Sequence, residues 1–225
     1  MTLAFFIEIL TSDPVLYISI VVAVIISITL HELGHGVAAI SQGDDTPREL
    51  GHMTLDPRAH MPPMSWALLL LVGISYGLMP VNPSRFRSKH GDALVSAAGP
   101  AVNLLLAALG FAIWLGWLKF GGIAEPGTTT ANFQRFFQIF ARFNIVLCIF
   151  NMLPIPPLDG SSVLGSFSPA FRQASRDPAK QQLFFGVFLL IFLFGSGYLW
   201  AAGYAVEDLA FETVMGYPLP RGLMQ

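Results

Sequence analysis

Two histidines and a glutamate stand within five residues of one another: His31, Glu32 and His35, in the run ITLHELGHGVAAI from 28 to 40. On an α-helix, positions i and i+4 lie about one turn apart, so both imidazoles project from one face toward one point. This spacing suits a single Zn²⁺, with the intervening carboxylate beside the metal as general base. A zinc ion so held lowers the pKa of a water to about 7. Glu32 is then the group that accepts the water's proton and later delivers it to a leaving amine. The plainer reading is a polar cluster that glues helices together, since histidine hydrogen-bonds across membrane helices. Three ionisable groups in one turn of an apolar segment are a costly packing device, however, and such residues at membrane depth are functional by default. Gly34 and Gly36 flank His35 and let a neighbouring helix or a substrate backbone come close.

A catalytic zinc takes three protein ligands and keeps one position open. His52 and His60 are candidates, but they sit in a polar connection with Pro and Asp and read as solvated. The other candidate is Asp159, in NMLPIPPLDGSSVL from 151 to 164. Pro154, Pro156 and Pro157 forbid a regular helix there. Broken backbone beside an apolar span survives only where protein buries it or it lines a wet cavity, so this break is expected to line the site. Asp159 reads equally well as a metal ligand or as the N-cap of the helix that follows. Asn151 closes the preceding span, and Asn144 lies on the same helical face two turns earlier.

The elements that position these groups must cross a bilayer. Of 225 residues, 54% are hydrophobic and 12% charged, whereas a soluble domain carries about 25% charged residues. The expected fold is an all-α integral membrane protein with about five transmembrane helices, at 15–40, 64–79, 93–118, 133–152 and 183–204, the second short for a span and so read as tilted into a thin region or partly re-entrant. A sixth, interfacial helix is expected at the N-terminus, where MTLAFFIEILTSDP has no Lys or Arg and includes Glu8, unlike a secretory signal. Residues 1–225 read as one membrane-embedded domain, with a catalytic core over 15–165 and a C-terminal span and tail over 183–225. From Val15 to His31 the helix rises about 24 Å, against a hydrocarbon core of about 30 Å. The metal would therefore lie toward the far side, within reach of water. The net charge of −2 and the lack of a basic patch exclude nucleic acid as a partner. Basic residues divide almost evenly between the two sides, so orientation is left open. Cys148 is the one cysteine and reads as a core residue.

Three separated motifs resemble the site-2 proteases, intramembrane zinc metalloproteases. HELGH at 31–35 is similar to the family's zinc helix, NMLPIPPLDG at 151–160 to its second signature, and AAGPAVNLLLA at 97–107 to its Gly-Pro-x-x-Asn element. The resemblance implies one zinc per chain, held by His31, His35 and Asp159. It also implies Glu32 as the base and Asn151 as a neutral donor to the oxyanion of the tetrahedral intermediate, a task that suits an amide. Asn151 as a helix C-cap is the structural alternative, and Asn103 reads more simply as a cross-helix bond. RELGHMTLDPRAH resembles the family's short β-ribbon after the zinc helix, and MPVNPSRFR at 79–87 a segment of compact members. The implied partners are the lipid bilayer and transmembrane protein substrates. No connection has room for the PDZ insertion or regulatory domains of larger members, so substrate selection would fall to accessory membrane proteins. The implied location is the cell membrane of a prokaryote, multi-pass. The alternative is a non-proteolytic metal-binding membrane protein or transporter. Against it, the chain shows no repeat of the kind transporters carry, and a simple metal site has no need of Glu32.

Overall fold

The computed structural model describes residues 3–220 and is helical throughout. In chain order the helices are α1 (Leu3–Ser12), α2 (Pro14–Ser41), α3 (Thr46–Glu49), α4 (Pro57–His60), α5 (Pro63–Val72), α6 (Gly91–Gly121), α7 (Thr129–Asn151), α8 (Asp159–Phe167), α9 (Pro169–Arg176), α10 (Pro178–Phe194) and α11 (Ser196–Met215). Three of these, α2, α6 and α7, are long and apolar enough to cross a membrane, and they pack on one another to form the centre of the molecule.

The start of α2 is set by Asp13, whose carboxylate accepts from Leu16 N–H at 2.9 Å while Pro14 occupies the first turn. Its inward face is the more polar one: Ser19, Ser27, Thr29, His31, Glu32 and His35 are buried, while Ile18, Val22, Ile26 and Val37 face outward. A soluble helix sorts its residues the other way. This inversion belongs to a helix whose outer solvent is lipid and whose polar groups must find partners inside. At Gly110, α6 meets α7 so closely that a Cβ would lie 3.0 Å from the Ala141 Cβ. Trp114, Leu115, Ala141, Ile145 and Phe211 complete the apolar core between α6, α7 and α11. Where α6 turns into α7, the Gln134 amide donates to the Gly122 carbonyl at 2.8 Å and accepts from Ala124 N–H at 3.1 Å.

The fold departs from the five-span outline in two places. The expected second span, 64–79, is helical only over 64–72, nine of the ten residues of α5, a helix about 15 Å long. Gly73 ends it in the left-handed conformation, with φ 77°. The expected fifth span, 183–204, is divided at Gly195 between α10 and α11. Bent by 93°, α9 and α10 together make a fourth possible crossing. Helix α11 carries Glu207, Asp208 and Glu212 and is too charged for that class.

The β-ribbon expected after the zinc helix is absent: no strand occurs among the described residues. Instead, Pro47 and Pro57 stand in the first turns of the single-turn helices α3 and α4. Asp56 caps the second by accepting from Arg58 N–H at 2.9 Å. Proline favours a helix's first turn and cannot donate to a β-ladder. The following run, 74–82, has no regular secondary structure and makes isolated bonds. Leu78 N–H donates to the His60 carbonyl at 2.9 Å, and Tyr76 N–H to Ser65 Oγ at 3.0 Å.

Candidate metal centre

One turn of α2 brings the His31 and His35 Nε2 atoms within 3.0 Å of each other. Asp159, 124 positions beyond His35, reaches both: Oδ2 lies 3.2 Å from His31 Nε2 and Oδ1 3.4 Å from His35 Nε2. The carboxylate arrives there because α8 starts folded back on the end of α7. A Cβ on Gly160 would stand 2.2 Å from the Met152 carbonyl oxygen, so only glycine permits this approach. Asp159 is not the N-cap of α8. Leu158 holds that position, with no side-chain cap.

The donor set fits a zinc ion. Atoms about 2.0–2.1 Å from a tetrahedral centre stand about 3.3 Å from one another, close to the three separations found here. Both imidazoles are held at Nδ1, His31 by Asn103 Oδ1 at 2.6 Å and His35 by the Val95 carbonyl at 2.7 Å. Their Nε2 atoms therefore face inward together with the buried Asp159 Oδ2, which has no hydrogen-bond partner. On the α6 side the space is kept open by Gly99, where a Cβ would lie 2.4 Å from His35 Nε2 and 2.6 Å from His31 Nε2.

Glu32 is buried beside this group. The run 74–82 passes it so closely that a Cβ on Gly77 would meet Glu32 Oε1 at 2.2 Å. Asn151 ends α7 with its amide donating to the Leu147 carbonyl at 3.0 Å, so it is not bonded to the His–His–Asp group. His52 and His60 stay outside the group as well. His60 is not solvated, as its setting in the sequence implied, but buried, with Nε2 against the Thr54 carbonyl at 2.8 Å.

Asn103 makes the cross-helix bond read for it from the sequence: its Nδ2 donates to Asn144 Oδ1 at 2.9 Å, and Asn144 Nδ2 donates to Ser27 Oγ at 2.9 Å. The bond from Asn103 to His31 and the part played by Ser27 escaped sequence reasoning. The signal for Ser27 was its place one turn before His31. The acidic partner of Arg142, unnamed from sequence, is Glu207 on α11. Gln138 also donates to that carboxylate, and Tyr204 places its ring 4.2 Å from the guanidinium.

The model of peptidase family M50 matches residues 19–123 and 118–195. Among curated proteins, the chain is 36% identical over 185 residues to "Putative zinc metalloprotease YwhC" of Bacillus subtilis, covering 80% of this chain and 84% of the relative. It is 33% identical over 213 residues to "Putative zinc metalloprotease Rip2" of Mycobacterium tuberculosis H37Rv, covering 89% and 78%. To the Rip2 of Mycolicibacterium smegmatis it is 31% identical over 191 residues, covering 80% and 71%. No solved structure matches. The chain belongs to peptidase family M50, the site-2 proteases.

Proposed function

We propose that this chain is an intramembrane zinc metalloprotease whose metal is held by His31, His35 and Asp159, with Glu32 as general base and Asn151 as oxyanion donor. The observation that carries the reading is the convergence, within 3.0–3.4 Å beside Glu32, of two imidazole nitrogens from a helix able to cross a membrane and a carboxylate from α8. When bound, zinc supplies Lewis acidity, which acidifies a water and polarises the scissile carbonyl.

The remaining work falls to the chain. Glu32 takes the proton of the attacking water and returns it to the leaving amine, so the carboxylate ends the cycle as it began. The Asn151 side chain turns from the Leu147 carbonyl toward the substrate and donates to the oxygen that becomes negative. Gly99 and Gly77 leave the faces beside the imidazoles and Glu32 free of side chains. A membrane-spanning substrate must unwind locally to react, because each carbonyl inside a helix is engaged within its own chain.

Residues 1–225 act as one membrane-embedded domain, with the catalytic core over 15–165 and a peripheral C-terminal part over 183–225. The protein sits as a multi-pass protein in a prokaryotic cell membrane. Accessory membrane proteins select its transmembrane substrates. The non-proteolytic alternative is not favoured, given membership in a peptidase family.

The test is to purify wild type and Glu32→Gln in detergent, measure zinc content, and incubate each with a panel of single-span peptides. About one zinc per chain in both, with cleavage by wild type alone, is expected. Cleavage by Glu32→Gln at the wild-type rate would contradict the assignment.

A further inference from the structure

We propose that Asn103 and Asn144 are positioning residues: a one-way chain of side-chain amides, running through three helices, that obliges His31 to present an unprotonated Nε2 to the metal. The inference rests on His31 being a zinc ligand.

The direction of the chain follows from its ends. Ser27 Oγ–H donates to the Ala23 carbonyl at 2.7 Å, so toward Asn144 this hydroxyl accepts. The Phe140 carbonyl can only accept. One end of the Asn144 amide meets both of these at 2.9 Å, and that end must be the NH₂. Its other end is the oxygen, so the Asn103 atom 2.9 Å away is also an NH₂. Asn103 is left to turn its oxygen toward His31 Nδ1 at 2.6 Å, which requires the proton on Nδ1. The neutral ring keeps its lone pair on Nε2, where Asp159 and His35 converge. His35 reaches the same state by a shorter route, donating from Nδ1 to the Val95 carbonyl.

Ser27, Asn103 and Asn144 are each 0% exposed, so water does not compete for these bonds. The chain leaves α2 at Ser27, crosses α7 and α6, and returns to α2 one turn later at His31. The tautomer of one ligand is thereby tied to the packing of three helices. A change that parts α7 from α6 frees the Asn103 amide to turn over and offer its NH₂ to His31. The ring would then accept at Nδ1 and carry its proton on Nε2, the atom the metal needs.

The test uses the full chain in detergent. It reads zinc affinity by chelator competition and the visible spectrum of the Co²⁺-loaded protein, neither of which depends on cleavage. Asn103→Leu is expected to weaken zinc binding about 10- to 100-fold, as loss of a ligand's orienting partner typically does, and to alter the Co²⁺ spectrum. Asn144→Leu should weaken it in the same direction by a smaller factor. Asn103→Asp keeps an acceptor for Nδ1–H and should restore binding to within about threefold of wild type. Gln134→Leu removes an equally buried amide away from the site and should leave zinc affinity unchanged. Wild-type affinity in Asn103→Leu overturns the proposal, as does equal weakening by Asn103→Asp or by Gln134→Leu. No change in Asn144→Leu removes Asn144 from the chain. A wild type that takes up no stoichiometric zinc, or an Asp159→Ala that keeps it, overturns the ligand set itself.

Discussion

Asp159 is the residue on which the centre turns, because the two histidines would form a pair on one helix turn without any tertiary structure. Two neutral nitrogens 3.0 Å apart offer a metal only two bonds. In the proposed centre the carboxylate would add the third and supply negative charge where hydrocarbon otherwise disfavours a divalent cation. Asp159→Ala is therefore expected to lose bound zinc in a metal assay of the purified protein. Asn151→Leu should keep its zinc and lose about 10²–10³-fold in kcat, the usual cost of removing one oxyanion donor. An unchanged kcat would return Asn151 to the role of helix end, where its bond to Leu147 now places it. Gly99→Ala should bind zinc poorly, since its methyl would fall 2.4 Å from His35 Nε2. At this scale the sequence was legible where chemistry is local. His31, Glu32 and His35 are readable because one helical turn brings them together. The cross-helix role of Asn103 was readable as well, but its partners His31 and Asn144 were not, because they lie 72 and 41 positions away.

Among the elements, the long helices were legible from unbroken apolar runs, and the shorter ones were misjudged. Apolar composition over 64–79 resembles a span, but Gly73 stops the helix at ten residues. The ribbon failed because the prolines after α2 start helical turns. What anchors this region is Asp44, fully buried just past the end of α2. It accepts from Asn82 N–H at 2.6 Å and from the Thr46 hydroxyl at 2.5 Å, with Arg85 at 3.8 Å. Burial pushes the Asp44 carboxyl up, but the bonds from Asn82 and Thr46 and the charge of Arg85 outweigh it and hold it below its ordinary 3.8. A carboxyl depressed by folding contributes fully above its ordinary pKa, and the contribution is lost as pH falls through the folded value. Asp44→Asn should therefore lower the neutral-pH melting temperature and show a shallower further loss below about pH 4. An acid profile parallel to wild type would show that Asp44 does not hold the segment. Between α7 and α11, removing the buried Glu207 alone leaves the partly buried Arg142 without its partner. Glu207→Leu should cost about 3–5 kcal/mol, much of it recovered when Arg142→Leu is added. Thermal unfolding of the two singles and the double measures that coupling.

Across the whole molecule, an apolar core between α6, α7 and α11 stands beside a largely polar buried face on α2. That face carries hydroxyls, imidazoles and a carboxylate, while Ile, Val and Leu side chains coat the exterior. Only an apolar surrounding makes that distribution stable. A substrate that unwinds readily near the depth of His31 should be cut faster than a uniformly helical one, as paired single-span peptides with and without a Gly or Pro pair at that depth would show. Composition made the membrane setting legible at once, and three motifs in order made the family legible. How the chain folds back to deliver Asp159 was not, because it depends on Gly160 lying against the Met152 carbonyl. The most direct measurement is zinc X-ray absorption on the purified protein and on Asp159→Ala. The expected result is about one zinc per chain, with two imidazole nitrogens and oxygen ligands at about 2.0–2.2 Å, and none retained by the variant. A sulfur in the coordination shell, or full zinc occupancy without Asp159, would contradict the centre described above.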